Sequence, residues 1–324
     1  MNATAGRAAR IEIIAPSGAH LSLESFDRAL RTLRARNYDV RCSVPRKGWQ
    51  RFADTDAARL EQLHRAARMR DIDAVMITRG GYGLSRLLDR IDWTLVAESA
   101  LGGVRWIGYS DFTAFQLALL ARTGAPSFAG PGASGDFGVA EPDPYMLEHF
   151  DSVMAGRLLP VQWSEKWPDV GQATADVAAV PSGDDGVAAV EGPLWGGNLS
   201  LVAAAVGTAW LPSIQGGILF LEDVAEHPYR VERMLHQLLY AGVLENQGAI
   251  VLGEFTEWKS SPHDNGYGLA SVVDYLRQRI ATPVFTGLPF GHVPRKAVLG
   301  VGAHYLLEAS GTERRLVPLV PGHG

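Results

Sequence analysis

The sequence predicts an α/β protein whose first half folds as a doubly wound parallel sheet. Short apolar strands alternate with helical patterns in this half, and residues 74–78 are continuously apolar, as expected when helices cover both faces of a parallel sheet. A chain of 324 residues, of which 47% are apolar, is long enough for two domains. We expect these over 1–155 and 189–324, joined by a linker or crossover at 156–188.

The elements of the first half follow from the spacing of apolar residues and from cap signals. A helix over about 22–36 places Phe26, Leu30 and Leu33 on one face, and a second helix begins at Asp54-Thr55 and runs to about Met69. The predicted strands lie at 11–15, 40–44, 74–78 and 106–109, and a third helix at 113–122.

The second half is predicted to be richer in β-structure. Regularity fades from about 151 to 186, where Pro160, Pro168, Pro181 and the acidic stretch 183–186 interrupt any pattern. Beyond this stretch we expect helices at 229–240 and 269–280, and strands at 217–221, 250–252, 284–286, 297–301 and 315–320.

Composition excludes several classes of function. The net charge of −5 and the absence of a basic stripe argue against nucleic-acid binding. The single cysteine, Cys42, lies in a predicted strand and excludes an internal disulfide and a multi-cysteine zinc cluster. No histidine spacing indicates a metal site, residues 1–10 lack the apolar core of a signal peptide, and no apolar run is long enough to span a membrane. We therefore expect a cytoplasmic protein without a metal.

Ser110 is the candidate nucleophile. It lies in Gly108-Tyr109-Ser110-Asp111, where a predicted strand ends and a helix begins. Such a junction exposes a hydroxyl and directs the first N–H groups of the helix at the same point, which is what acyl transfer requires. Phe112 replaces the last glycine of the G-x-S-x-G motif, and a serine that only caps the helix is the competing interpretation of these residues alone.

The loop Arg79-Gly80-Gly81-Tyr82-Gly83 follows the third predicted strand. Its glycines permit positive φ angles and a close approach of the backbone, so Gly80 or Gly81 could donate an N–H group to an oxyanion. The loop lacks the Lys-Ser/Thr of a P-loop and does not fit G-x-G-x-x-G, which argues against nucleotide binding. An ordinary turn between a strand and a helix is the alternative.

A general base and its orienting carboxylate are expected in the second half. Glu222 ends the apolar strand 217–221, and ligands of open sheets bind at the carboxyl ends of strands. Asp223 competes with it, although strand alternation points the two side chains in opposite directions. His292 lies in the Gly/Pro turn 287–292, rigidly placed yet accessible, as suits a general base. Glu222 could instead be a solvated carboxylate at a strand end or a helix N-cap, and His292 a surface or interface histidine.

Taken together and in this order, these segments resemble the LD-carboxypeptidases, the murein tetrapeptide carboxypeptidases of bacterial cell-wall recycling. The resemblance covers almost the whole chain and is specific as a set, although each stretch alone is weak. The matching stretches are Ile14-Ala15-Pro16-Ser17-Gly18, 79–83, 108–113, 192–198, 221–224 with 226–235, and 287–292.

The resemblance implies a catalytic triad of Ser110, Glu222 and His292. It implies a flavodoxin-like, doubly wound N-terminal domain that carries the serine and a smaller β-rich α+β C-terminal domain that carries the other two residues. The backbone N–H of Asp111, with one from Gly80 or Gly81, would stabilise the oxyanion. The implied reaction releases the terminal D-alanine from a murein tetrapeptide, without a metal or organic cofactor, and family members are commonly homodimers.

Three further residues are candidates for binding the substrate. Arg79 and Arg230 adjoin matching motifs and could hold its carboxylates, although Arg230 could instead form a surface salt bridge with Glu226 at i,i+4 spacing. Asn198 could donate to a substrate carbonyl or merely cap the helix that begins near Leu199.

Two rival functions remain at this point. One is a peptidase that resembles the microcin-immunity enzymes, which cleave an acyl-sulfamoyl adenylate conjugate; the match over 226–235 favours the murein enzyme instead. The other is a non-catalytic protein that binds a peptide or a sugar on the same scaffold, and the presence of all three triad residue types argues against it.

Overall fold

A computed structural model describes residues 7–165 and 188–319 of the chain, with two β-sheets and helices packed against them. The strands are β1 (Arg10–Ile14), β2 (Asp39–Cys42), β3 (Ala74–Ile77), β4 (Arg105–Gly108), β5 (Ser127–Ala129), β6 (Val161–Ser164), β7 (Ala188–Asn198), β8 (Ile218–Val224), β9 (Ala249–Thr256), β10 (Val284–Thr286), β11 (Leu299–Val301), β12 (His304–Ser310) and β13 (Glu313–Pro318). The α-helices are α1 (Leu23–Ala35), α2 (Asp56–Arg68), α3 (Trp93–Leu101), α4 (Thr113–Thr123), α5 (Pro144–Met154), α6 (Leu199–Ala204), α7 (Pro228–Tyr240) and α8 (Leu269–Arg279).

The first sheet is the predicted doubly wound sheet. Its parallel strands follow the order β2-β1-β3-β4-β5, which is the flavodoxin-like order. Helices α1 and α2 are both capped: Ser22 accepts a hydrogen bond from the backbone of Ser25 ahead of α1, and Thr55, in the cap signal that the sequence shows, does the same for Ala58 in α2. The α/β fold class predicted from the sequence is therefore confirmed.

The sixth strand of this sheet comes from far along the chain. β11 pairs antiparallel with β5, with Leu299 opposite Ala129. The sequence placed a strand at 297–301 within the second half, but this strand completes the first sheet. The chain therefore crosses back to the first sheet directly after the turn that carries His292.

The second sheet is mixed and has the order β10-β9-β8-β7-β12-β13-β6. Strands β7 to β10 run parallel, while β12, β13 and β6 are antiparallel to their neighbours. β6 lies within the segment 156–188 that the sequence assigned to a linker. The predicted interruptions at Pro168, Pro181 and 183–186 lie outside the described residues.

The two halves contact each other at the start of α4. This helix packs against α6 and β7, and the hydroxyl oxygen of Thr113 accepts a hydrogen bond from the Asn198 backbone at 3.0 Å. Gly197, at φ +133°, has no room for a side chain, because a Cβ there would lie 2.5 Å from the Thr113 Oγ1 atom. The end of β4 is thereby held next to the end of β7.

No helix within the described ranges is long and apolar enough to cross a membrane.

Candidate active site

Ser110 lies in a strained turn directly after β4. Its φ is +63°, in the left-handed region that residues with a side chain adopt only at a cost of about 1–3 kcal/mol. Tyr109 before it is extended, and residues Ser110–Phe112 form one 3₁₀ turn that leads into α4. The turn is tight, because a Cβ at Gly108 would lie 2.8 Å from both Ile77 and Phe112 side chains. The serine is half-buried and lines a cavity.

The glycine loop after β3 passes directly over this turn. A Cβ at Gly80 would lie 2.7 Å from both Cβ and Oγ of Ser110 and 3.1 Å from the backbone nitrogen of Asp111. Only glycine fits there without displacing the serine. Gly81, at φ +102°, lies against the Arg79 guanidinium, since a Cβ there would be 2.8 Å from Nη1. The structure thus brings Gly80 against the candidate nucleophile, and Gly81 lines the same cavity.

The carboxylate of Asp111 has a role that sequence reasoning missed. It is 1% exposed and accepts a hydrogen bond from the backbone of Leu84 at 3.0 Å. Burial raises the pKa of this carboxyl above its usual value. The side chain therefore ties the end of the glycine loop to the serine turn, while the backbone N–H of Asp111 remains next to Gly80.

Glu222 and His292 form a direct hydrogen-bonded pair. The His292 Nδ1 atom lies 2.7 Å from Glu222 Oε2, with the glutamate side chain fully buried and that of the histidine 18% exposed. The ring of Tyr109 packs against the imidazole at a centroid distance of 5.0 Å. The turn before the histidine needs Gly291, at φ +144°, because a Cβ there would lie 2.9 Å from the carbonyl oxygen of Glu254.

The carboxylate of Asp223, the competing candidate, accepts hydrogen bonds from neighbouring residues of the fold. Its Oδ2 atom accepts from both the backbone N–H and the hydroxyl of Ser200, at 2.9 and 2.7 Å. The Asn198 Nδ2 atom donates to Asp223 Oδ1 at 2.8 Å and is 3.4 Å from Glu222 Oε1. Asn198 also caps α6, since its Oδ1 accepts from the backbone of Leu201. Asn198 is 4% exposed and is not among the residues that line the cavity.

The cavity of about 590 Å³ lies where the two halves meet. Its wall contains the serine turn, the glycine loop and the histidine, and further residues from both halves. Among them are Arg79, Gly80, Gly81, Tyr109, Ser110, Asp136, His292 and Lys296. No hydrogen bond joins Ser110 Oγ to His292 within the part of the chain that the structure describes, although both side chains face this space.

The two candidate arginines have different positions. Arg79 lines the cavity, donates to the carbonyl oxygen of Ala19 at 3.2 Å, and has its pKa lowered by burial. Arg230 is not among the residues that line the cavity, and its side chain is 50% exposed. It lies 3.7 Å from Glu226, in the surface salt bridge that the sequence analysis gave as its alternative role.

Across residues 7–165 and 188–319 there is no cluster of three metal-ligating side chains.

Two protein-family models match this chain. The LD-carboxypeptidase N-terminal domain matches residues 11–130, and the LD-carboxypeptidase C-terminal domain matches residues 191–307. The chain belongs to the LD-carboxypeptidase family. It is therefore a carboxypeptidase, as the sequence predicts.

Two relatives support this assignment, and a third structure shares the fold. The murein tetrapeptide carboxypeptidase of Pseudomonas aeruginosa is 30% identical over 313 residues, which cover 93% of this chain and 94% of that protein. The crystal structure of muramoyltetrapeptide carboxypeptidase from Oxalobacter formigenes matches with a TM-score of 0.84 and 41% identity, covering 96% of this chain and 98% of that one. An MccF-like protein from Bacillus anthracis shares the fold with a TM-score of 0.77 at 23% identity, over 97% and 98% of the two chains.

Proposed function

We propose that this LD-carboxypeptidase is a serine peptidase that removes the terminal D-alanine from murein tetrapeptides. The observation that carries the proposal is the arrangement around one cavity: a serine in a strained left-handed turn, a glycine loop against its Oγ atom, and a histidine held by a buried carboxylate. These are the parts that acyl transfer through a serine ester requires. The bond cleaved would be the one between the L-centre of a diamino acid and D-alanine.

In the first half of the reaction, Ser110 Oγ attacks the carbonyl carbon before the terminal residue. His292 accepts the serine proton on Nε2, because Nδ1 is engaged by Glu222. When the tetrahedral intermediate collapses, the C–N bond breaks and His292 returns the proton to the leaving amine of D-alanine. In the second half, water attacks the ester, with the histidine again as base, and the free serine is restored.

Glu222 orients the imidazole and stabilises its protonated form. It is fully buried, so it holds the ring from the side opposite the cavity and does not itself take the proton. Asn198 supports this carboxylate through its Nδ2 atom, and we assign it this role in preference to contact with substrate.

The oxyanion would be stabilised by the backbone N–H of Asp111 with one from Gly80 or Gly81. The close packing of Gly80 on the serine and on the Asp111 nitrogen supports this assignment. A donor of this kind is worth about 3–4 kcal/mol of barrier. Arg79 is our choice for binding the carboxylate of the terminal residue, because it is the candidate arginine that lines the cavity.

The cytoplasmic location stays a prediction, and so does the homodimer that the family resemblance implies.

The second candidate reaction is cleavage of an aminoacyl-nucleotide conjugate, as in the microcin-immunity proteins. The fold of the MccF-like protein is shared, but its 23% identity supports the fold alone. The relatives named for murein peptides are more similar, at 41% and 30% identity. They favour the murein reaction.

The proposal is tested by offering the purified protein a murein tetrapeptide and an aminoacyl-sulfamoyl adenosine side by side. We expect release of D-alanine from the first and little or no turnover of the second. Turnover of the adenosine conjugate alone would replace the murein assignment. Binding of the tetrapeptide with no turnover of either compound would indicate a binding protein.

A further inference from the structure

A buried ion pair joins the two halves of the site and has no part in the mechanism described above. The Lys296 Nζ atom lies 2.6 Å from Asp136 Oδ1, and the two side chains are 1% and 5% exposed. Lys296 follows His292 on the segment that leads to β11, whereas Asp136 lies in the π-helical turn Ala133–Phe137 after β5. The two residues are 160 positions apart in sequence.

The pair contacts the residue that precedes the nucleophile. Lys296 Nζ lies 4.0 Å from the ring centroid of Tyr109, and the same ring packs at 5.0 Å on His292. Asp136 is fixed in turn, because its Oδ2 atom accepts from the backbone of Gly132 at 2.8 Å. Burial, with the negative charges of Asp136 and Glu222, raises the pKa of the Tyr109 phenol well above its usual value. The tyrosine is therefore neutral and enclosed between the ion pair and the imidazole.

The energetics of this pair favour a geometric role. Removing an ammonium and a carboxylate from water costs several kcal/mol per ion, and an apolar pair of similar volume is often as stable or more stable. The pair holds the His292 segment against the Ser110 turn, and these two segments come from different halves of the chain. Misplacement of catalytic groups by about 1 Å can cost about 100-fold in rate.

We propose that the Asp136–Lys296 pair is a positioning device that sets the placement of His292 relative to Ser110 through the ring of Tyr109. This inference rests on the proposed function of Ser110 and His292 as nucleophile and base. Both residues border the cavity, but their side chains are 1% and 5% exposed and paired with each other, so neither charged group would contact the substrate or take part in proton transfer.

The test compares Lys296→Met, Lys296→Arg and the neutral double variant Asp136→Asn/Lys296→Met with the wild type. Arg295→Met is the matched control, because Arg295 is the neighbouring cation on the same segment but packs 3.9 Å from the ring of Tyr145 instead. Each protein is assayed for kcat and KM on a murein tetrapeptide and for the rate at which a fluorophosphonate labels Ser110. Thermal unfolding identifies the variants that fold.

We expect Lys296→Met and the double variant to lower both kcat and the labelling rate by about tenfold or more, with KM within about twofold of wild type. Lys296→Arg should recover most of both rates, and Arg295→Met should change neither. Because the double variant leaves no unpaired buried charge, it should fold even where Lys296→Met does not.

Three results would overturn the inference. The first is a folded double variant with wild-type kcat and labelling rate, and the second is a rise in KM at constant kcat, which would indicate contact with substrate. The third is failure of the double variant to fold, which would make the pair a stabilising element. Failure of the proposed function is distinct: a wild type that is labelled at Ser110 but releases no D-alanine refutes the murein reaction, and the labelling rates still decide the role of the pair. A wild type that is not labelled and releases no D-alanine refutes both.

Discussion

Nδ1 of His292 lies 2.7 Å from Oε2 of Glu222, and the glutamate side chain is completely buried. A buried carboxylate in this position fixes which imidazole nitrogen is free to face the cavity, and in the proposed acyl transfer it would favour the protonated ring. Replacing Glu222 by an uncharged residue of the same shape therefore tests this role.

Glu222→Gln should lower kcat by on the order of 10³–10⁴, because a glutamine can hold the ring but disfavours the tautomer that accepts the serine proton. KM should change little. Steady-state kinetics of D-alanine release measure both.

Glu254→Gln is the matched control for that substitution. Glu254 is a half-buried carboxylate on the adjacent strand and contacts the same turn, since a Cβ at Gly291 would lie 3.2 Å from its Cβ. It should keep kcat within about threefold of wild type. Equal losses in both variants would mean that Glu222 acts only as one of several nearby carboxylates.

Ser110→Gly should abolish turnover and stabilise the fold by up to about 1 kcal/mol, since glycine adopts φ +63° without strain. Urea denaturation gives the free energy of unfolding. Gln50→Gly, at a second left-handed position that is exposed and has φ +52°, should bring a similar gain and keep activity. A destabilised Ser110→Gly protein would show that the turn is not strained.

Gly80→Ala should lower kcat by about 10²–10³, the usual effect of losing an oxyanion donor. The added Cβ would collide with Ser110 at 2.7 Å and displace the loop from the Asp111 nitrogen. Gly103→Ala is the control, because Gly103 has φ +98° but nothing within 4 Å of the added Cβ, so only stability should fall. Comparable kcat losses in the two variants would remove the loop from the oxyanion site.

The pH dependence of stability should depend on His149, which is 3% exposed and packs on Tyr145 in α5. Burial, with the charge of Arg295, lowers its pKa from 6.5 to about 4. Between these values the unfolded chain binds a proton that the folded protein does not, so stability falls as pH decreases through this window. From about pH 7 to 5.5 the wild type should lose about 1 kcal/mol more than His149→Gln in urea denaturation. Parallel curves for the two proteins would contradict this.

Local patterns in the sequence were enough to predict most of the first sheet. Strands β1 to β4 and helices α1, α2 and α4 follow from apolar periodicity and from the cap signal Asp54-Thr55. The prediction missed α3 and α5, although Asp92 and the pair Asp143-Pro144 are caps that could have indicated them. The place of β11 in the first sheet could not be predicted, because strand pairing over this sequence distance leaves no local signal.

The site shows the same limit. Ser110, Glu222 and His292 were named from strand ends, a turn and the family resemblance, and the structure brings them to one place. Asn198 caps α6, which was one of its two predicted roles, and its side chain also supports Glu222. Arg230 pairs with Glu226 on the surface. The Asp136–Lys296 pair was not foreseen, because neither residue belongs to a motif and their contact depends entirely on how the two halves pack.

The central claim is that Ser110 is the nucleophile of a peptidase that releases D-alanine from a murein tetrapeptide. The most direct test is D-alanine release by wild type and by Ser110→Ala at equal concentration, with thermal unfolding to confirm that both are folded. We expect release by the wild type and a loss of at least about 10³-fold in kcat for the variant. Equal release by the two proteins would contradict the claim.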